Sequence, residues 1–300
     1  MKKTLIASTV LVLSAGFAAA DTPTLTGNAR MGVRYDGSDM QFTSRVRASI
    51  AMAGTTDGGL SFGGSFDVHN AGISVSRTSI GPDLVPGTAD DTYDISGGAA
   101  AGQSGSVFLS GAFGKISMGD VDSAVQASVG QVDQKSLLVL DGPQEINHIG
   151  GGASFDDPAM LYTYTTGSLT FALGAKDGTV DDRFSVGAKY ATDKFSVGVG
   201  FADDGTVTET SIGGSATLGA ATVKLVLNSR DDTDLAYAMS VSGTFSGVGV
   251  TAFYRDGDAL AEANIGVGAS YDLGGGATVV GSVGSVSGTT LADLGVSFSF

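Results

Sequence analysis

The sequence predicts an all-β fold: a 16-stranded antiparallel transmembrane β-barrel occupying residues 21–300. Three observations predict it. Apolar and polar residues alternate at period two through most of the chain, the pattern of strands with two unlike faces. Beyond residue 20 no apolar run approaches the roughly 20 residues that a spanning helix needs, so a membrane form must be a closed barrel. Finally, short and long connections alternate along the chain, as in barrels with short turns at one end and long loops at the other.

The first element is a leader. Lys2 and Lys3 precede the apolar stretch Leu5 to Leu13, and Ala18, Ala19 and Ala20 come immediately before Asp21, the three-part layout of a secretory signal peptide over residues 1–20. A membrane anchor over Thr4 to Ala20 is the rival reading, and its apolar core is too short. Without the leader, 14 basic residues face 31 acidic ones, a formal charge of −17, which excludes nucleic acid as a natural partner. Cysteine is absent, so neither disulfides nor thiolate metal sites hold the exported chain together. Glycine supplies 47 residues and proline 5, a ratio that suits closely packed strands and turns rather than a Pro-rich disordered tract.

Sixteen strands follow in order. The first eight are expected near 25–35, 42–53, 60–70, 104–111, 115–119, 159–165, 168–175 and 183–191. The second eight are expected near 194–202, 208–218, 220–229, 234–244, 247–255, 261–271, 277–286 and 291–300. In the first, Leu25, Ala29, Met31, Val33 and Tyr35 alternate with Thr26, Asn28, Arg30 and Arg34. In the ninth, Phe195, Val197, Val199 and Phe201 alternate with Lys194, Ser196, Gly198 and Gly200. The last runs Leu294, Val296, Phe298 and Phe300 against Gly295, Ser297 and Ser299. Turns such as Thr166-Gly167, Thr192-Asp193, Phe245-Ser246 and Asp272 to Gly276 follow even-numbered strands. The only long connections, 71–103 and 120–158, follow odd-numbered ones.

A two-sheet soluble sandwich also alternates, so charge has to decide between the two. Arg30, Arg34, Arg45, Arg47, Asp67, Lys115, Arg183, Lys189, Lys194, Glu209, Lys224, Arg255, Glu262 and Asp293 all fall on the non-apolar parity. A basic residue facing lipid at mid-membrane costs about 2–4 kcal/mol, so this segregation is what a bilayer enforces. Tyr35, Tyr162, Tyr164, Tyr190, Tyr237, Tyr254 and Tyr271 take the apolar parity, several at strand ends, as in the aromatic girdles of membrane barrels.

Catalytic readings fare poorly, and the chain is expected not to be an enzyme. Gly59-Leu60-Ser61-Phe62-Gly63 has the spacing of a nucleophile elbow, but a turn precedes it and an alternating strand follows, where the elbow needs a strand and then a helix. His69 and His148 are isolated in loop positions and match no zinc spacing. The pairs Asp203-Asp204 and Asp231-Asp232 admit an outer-membrane barrel hydrolase but read better as loop-tip charge. Gly274 to Gly276 reads as a turn.

The segment Ser106 to Asp120, SVFLSGAFGKISMGD, resembles the strand, Phe-Gly turn and strand that precede the third loop of general bacterial porins, most of all those of the alphaproteobacterial branch. Thr43 to Arg47, Leu161 to Thr170 and the terminal Phe300 add to the likeness. The resemblance implies a homotrimeric outer-membrane channel for passive diffusion of ions and small hydrophilic solutes, embedded in outer-membrane lipid and needing no cofactor. It also implies that the third loop, 120–158, folds inward and narrows the pore. The acids of that loop are Asp120, Asp122, Asp133, Asp141, Glu145, Asp156 and Asp157, with Lys135 its only Lys or Arg. The facing basic wall would be Arg30, Arg34, Arg45 and Arg47. The Pro-Glu-Phe-x-Gly loop motif of enterobacterial porins is absent, and Asp141-Gly142-Pro143 stands roughly in its place.

One cluster lies apart. Asp83, Asp90, Asp91 and Asp94 in the other long loop offer hard oxygen ligands for Ca²⁺, although their spacing matches no EF-hand; a solvated acidic loop explains them equally well, and the porin resemblance implies instead a reach toward a neighbouring subunit. A secreted calcium-binding β-rich adhesin shares the high Gly and Asp and the missing Cys, but its nonapeptide repeats are not present.

Overall fold

Alternating sequence becomes a barrel when every strand can pair on both sides and the last returns to the first. The computed structural model describes residues 22–69, 74–79, 92–96, 105–152, 158–176 and 183–300. Its first strands are β1 (Thr24–Tyr35), β2 (Met40–Thr55) and β3 (Ser61–His69), then the short β4 (Ser74–Ser79) and β5 (Thr92–Ser96). Next come β6 (Gly105–Gly111), β7 (Gly114–Gly119), the one described helix α1 (Ala124–Val129), β8 (Ala159–Thr166), β9 (Leu169–Lys176) and β10 (Arg183–Ala191). The chain continues through β11 (Phe195–Asp203), β12 (Thr208–Leu218), β13 (Ala221–Arg230), β14 (Ala236–Phe245) and β15 (Val248–Asp256). It ends with β16 (Asn264–Gly274), β17 (Ala277–Val286) and β18 (Thr289–Ser299).

All of these except β4 and β5 form one closed antiparallel barrel of sixteen strands. The seam joins β1 to β18, with Met31 opposite Val296, and Phe300 extends it by donating its N–H to the Gly27 carbonyl at 2.8 Å. Each of the sixteen expected strands is present. Two charges expected on strands are not there: Lys194 lies in the turn before β11, and Glu262 lies in the connection before β16, because both strands begin later than the alternation suggested. The β4–β5 hairpin sits inside the expected 71–103 loop.

The barrel is inverted relative to a water-soluble protein. Leu25, Val107, Leu173, Val199 and Leu294 are exposed, and Phe42 is 93% exposed. Glu209, Asn228, Ser211, Ser240 and Asp293 are buried. Each large apolar side chain left in water forgoes about 1.5–3 kcal/mol of burial, and a continuous outward band of them is compatible only with a hydrocarbon surround. No described helix is long and apolar enough to cross a membrane.

Aromatic residues mark both rims. At the loop end the rings of Tyr237 and Tyr254 stack 5.9 Å apart, and both hydroxyls donate to Asp256 Oδ2, at 3.3 and 3.0 Å. At the turn end Tyr190 lies 5.8 Å from Phe195 across the connection between β10 and β11. Asp203 and Asp256 take the outward parity, but each is the last residue of its strand, at the rim, where a carboxylate keeps its water. Tight connections use left-handed backbone: Ser246 and Gly247 have φ of 49° and 84°, the sign that two-residue hairpin turns require to match strand twist.

Candidate functional site

Residues 120–152 turn into the lumen and run along its wall. Ser123 caps α1, its Oγ accepting from Gln126 N at 3.1 Å, and Gly130 ends the helix at φ 73°. The helix lies on the inner faces of β9 to β12, where the wall carries glycine. A Cβ at Gly198 would meet the Ser128 carbonyl oxygen at 2.0 Å, and one at Gly213 the Val129 oxygen at 2.4 Å. Beyond the helix the same accommodation continues around the barrel, with the Lys135 carbonyl over Gly268, Leu140 over Gly266 and Leu137 over Gly32 and Gly295. The abundance of glycine thus reflects a track for this loop as well as turns and strand packing.

Apolar burial and polar anchors hold the loop down together. Val125, Val129, Val132, Ile146 and Ile149 of the loop are buried with Ala202, Val226, Ala236 and Ala238 of the wall. Asp293 on β18 accepts from the N–H groups of Leu138 (2.6 Å) and Val139 (2.8 Å) and from the hydroxyls of Ser136 and Ser282, both at 2.7 Å. Glu209 on β12 is fully buried; it is bonded to His148 Nδ1 and accepts from Ile149 N at 2.7 Å and Asn228 Nδ2 at 2.6 Å. His148 is therefore a wall contact and not an isolated loop residue. Asn264 Nδ2 donates to the Pro143 carbonyl at 2.9 Å.

The expected site residues divide into two groups. Asp133 is tied to the wall, bonded to Lys224 Nζ at 2.7 Å and to Ser242 Oγ at 3.1 Å. By contrast Asp120, Asp122, Asp141 and Glu145 are exposed along the free edge of the loop. Partial desolvation by the surrounding lumen, and then the charge of Asp120, push the Asp122 carboxyl above its ordinary value. Glu145 is raised too, by burial first and then by repulsion from Asp141 and Asp122.

The four arginines share the inner face of β1 and β2. Arg30 stands opposite Arg45, Asn28 opposite Arg47, and Arg34 opposite Gln41. Arg34 donates from Nε and Nη2 to Gln41 Oε1, Arg45 Nη2 to Asn28 Oδ1 at 3.1 Å, and Arg47 pairs with Asp67 at 3.5 Å. Arg30 Nη1 reaches the Leu137 carbonyl at 3.1 Å, tying the wall to the loop. Asp141 follows a few residues after that contact and is exposed. The loop edge is thus acidic and the wall it approaches basic.

Asp83, Asp90 and Asp91 lie outside the described residues, as do Asp156 and Asp157, and Asp94 is described only as part of the β5 backbone. Among the described residues no group of three or more His, Cys, Asp or Glu side chains is placed to hold a metal ion. The anchors Asp293 and Glu209 were visible in sequence only as lumen-parity acids. The inward glycines of β9 to β12 carried a readable signal, since Gly187 pairs with Gly200 and Gly198 with Gly213 at one level of the wall.

Known proteins agree with this geometry. The profile of the Gram-negative porin family matches residues 7–291. A porin of Rhodobacter capsulatus is 33% identical over 326 residues, covering 92% of this chain and 99% of its own length. A solved porin refined at 1.8 Å superposes with a TM-score of 0.73 at 31% identity, covering 93% of this chain and all of that one. A triple mutant of the Rhodopseudomonas blastica porin gives a TM-score of 0.70 at 20% identity over 93% of this chain and all of that one, a likeness of fold.

Proposed function

The chain belongs to the Gram-negative porin family and forms a water-filled outer-membrane channel for passive diffusion of ions and small hydrophilic solutes, and on that premise we propose how its lumen selects among them. Arg30, Arg34, Arg45 and Arg47 form the basic side of the constriction, and Asp120, Asp122, Asp141 and Glu145 form the acidic side. Asp133 holds the loop in place instead of facing the gap. The observation that carries this reading is geometric: Arg30, opposite Arg45 on the inner wall, reaches the Leu137 carbonyl of the loop at 3.1 Å, a few residues before the exposed Asp141.

Opposed fixed charges across a narrow aqueous gap set up a transverse field. That field orients dipolar solutes and separates the paths of cations and anions, while the loop limits size. A barrel of sixteen strands leaves an aqueous lumen, whereas eight would be filled by side chains. Diffusion through it consumes no energy source and no cofactor. The porin relatives support a channel rather than an enzyme, and Ser61 opens the strand β3 instead of the helix a nucleophile elbow needs.

Residues 1–20 act as the export signal, and three copies assemble in the outer membrane, a reading supported by the porin relatives. Asp83, Asp90, Asp91 and Asp94 are the candidate Ca²⁺ ligands; calorimetric titration with Ca²⁺ that produces no heat removes them. The constriction is tested in planar bilayers under a salt gradient. Arg45→Glu shifts the reversal potential toward cation preference, and an unchanged potential overturns the basic-wall assignment.

A further inference from the structure

Lys135 is the only Lys or Arg in the loop. Its ammonium makes no ion pair or hydrogen bond among the described residues, whereas Asp133, two positions earlier, is matched by Lys224 at 2.7 Å. The wall is shaped to receive it. A Cβ at Gly268 would overlap the Lys135 carbonyl oxygen at 1.7 Å. One at Gly249 would meet Lys135 Cε at 2.9 Å and Nζ at 3.5 Å, with Ser270 Oγ also at 2.9 Å. The side chain therefore lies along β15, pointing toward the turn end of the barrel.

A cavity of ≈ 580 Å³ opens beside it, lined by Asp133, Lys135, Thr222, Ser242, Thr244 and Thr251 among others. Strand register sets those hydroxyls in a row, since Thr222 pairs with Ser242 and Ser242 with Thr251, while Thr244 pairs with Gly249 under the lysine. Ser242 is occupied by Asp133 at 3.1 Å, but the hydroxyls of Thr244 and Thr251 have no hydrogen-bond partner among the described residues. With Asp133 and Lys224 cancelling, the cavity carries one surplus positive charge beside two free hydroxyls.

We propose that this cavity is a solute-binding subsite for small polyhydroxylated carboxylates of the sugar-acid class, the carboxylate taken by Lys135 Nζ and the hydroxyls by Thr244 and Thr251. A charge-assisted bond anchors the anion, and the threonines distinguish a hydroxylated chain from a plain one. The subsite lies on the turn side of the constriction, so a solute that has passed the acidic edge pauses there before release. It rests on the channel reading.

The test is current block in planar bilayers by D-gluconate, with D-glucose and acetate as the uncharged and unhydroxylated comparisons. Gluconate blocks wild type at concentrations where the other two do not. Lys135→Gln weakens the block by about tenfold or more, as loss of a charged hydrogen bond implies, and Lys135→Arg retains most of it. Thr251→Val weakens it independently, with KCl conductance and heat-resistant assembly reporting that each variant is folded. Equal block of wild type and Lys135→Gln, or equal block by all three solutes, overturns the subsite. A wild-type channel of normal KCl conductance without gluconate block refutes the subsite alone, and no KCl conductance at all refutes the channel.

Discussion

The Asp293 carboxylate on β18 accepts the backbone N–H of Leu138 at 2.6 Å, joining two residues 155 positions apart. With Val139 N–H and the hydroxyls of Ser136 and Ser282 on the same carboxylate, the loop's backbone donors converge on one buried charge. The seating of the loop therefore depends on the last barrel strand. Closure of the barrel has to precede the final seating of the loop.

Asp293→Asn tests that dependence. An amide presents an NH₂ to a site built from donors, and hydrogen bonds to a charged group are worth about 1.5–3 kcal/mol each. The barrel remains intact, since its strand ladder is untouched, while the loop loosens. Single-channel conductance rises, and larger sugars enter proteoliposomes that exclude them with wild-type protein.

Gly198→Ala attacks the other fastening. The added methyl would sit 2.0 Å from the Ser128 carbonyl oxygen, a clash that backbone must relieve by lifting α1 from the wall. Overpacking of this kind costs about 1–3 kcal/mol. The expected readout is faster proteolytic cleavage within 120–158 on the intact barrel. Gly58→Ala, with nothing nearer than Thr56 Oγ1 at 3.9 Å, serves as the neutral control.

Selectivity should depend on pH in a defined direction. Burial and neighbouring acids hold the Asp122 and Glu145 carboxyls above their ordinary values, so they take up protons earlier as pH falls than an isolated carboxylate near pH 4 would. Cation preference, measured as reversal potential, declines through that elevated range. In Glu145→Gln the decline shrinks, because one of the titrating groups is gone.

What was legible in the sequence follows from what is local. Alternation at period two is a property of neighbouring residues, so the number of strands, the inward parity of Arg30, Arg45 and Asp293, and the outward parity of Tyr190 and Tyr271 could all be read before folding. The SVFLSGAFGKISMGD segment pointed to the third loop through its resemblance to the corresponding porin segment, a likeness legible because a strand, turn and strand form one contiguous unit. Strand starts were less legible: Lys194 and Glu262 continue the alternation in the chain, yet sit in connections.

The roles of individual lumen residues were decided only by tertiary structure. Asp133 and Asp141 look alike in sequence, but one is fastened to Lys224 on the barrel wall and the other is exposed, its side chain bonded to Gln134 within the loop. His148 looked isolated until β12 brought Glu209 against it. Gly198 and Gly247 are the same residue type, one needed for close approach of a helix and the other for a turn. By itself the sequence determined a sixteen-stranded, inside-out barrel with an acidic third loop, because face and period are written along the chain. Which acids anchor that loop and which face the pore depends on contacts spanning from about 60 to more than 150 residues, and these exist only once the closed barrel brings its walls around the loop.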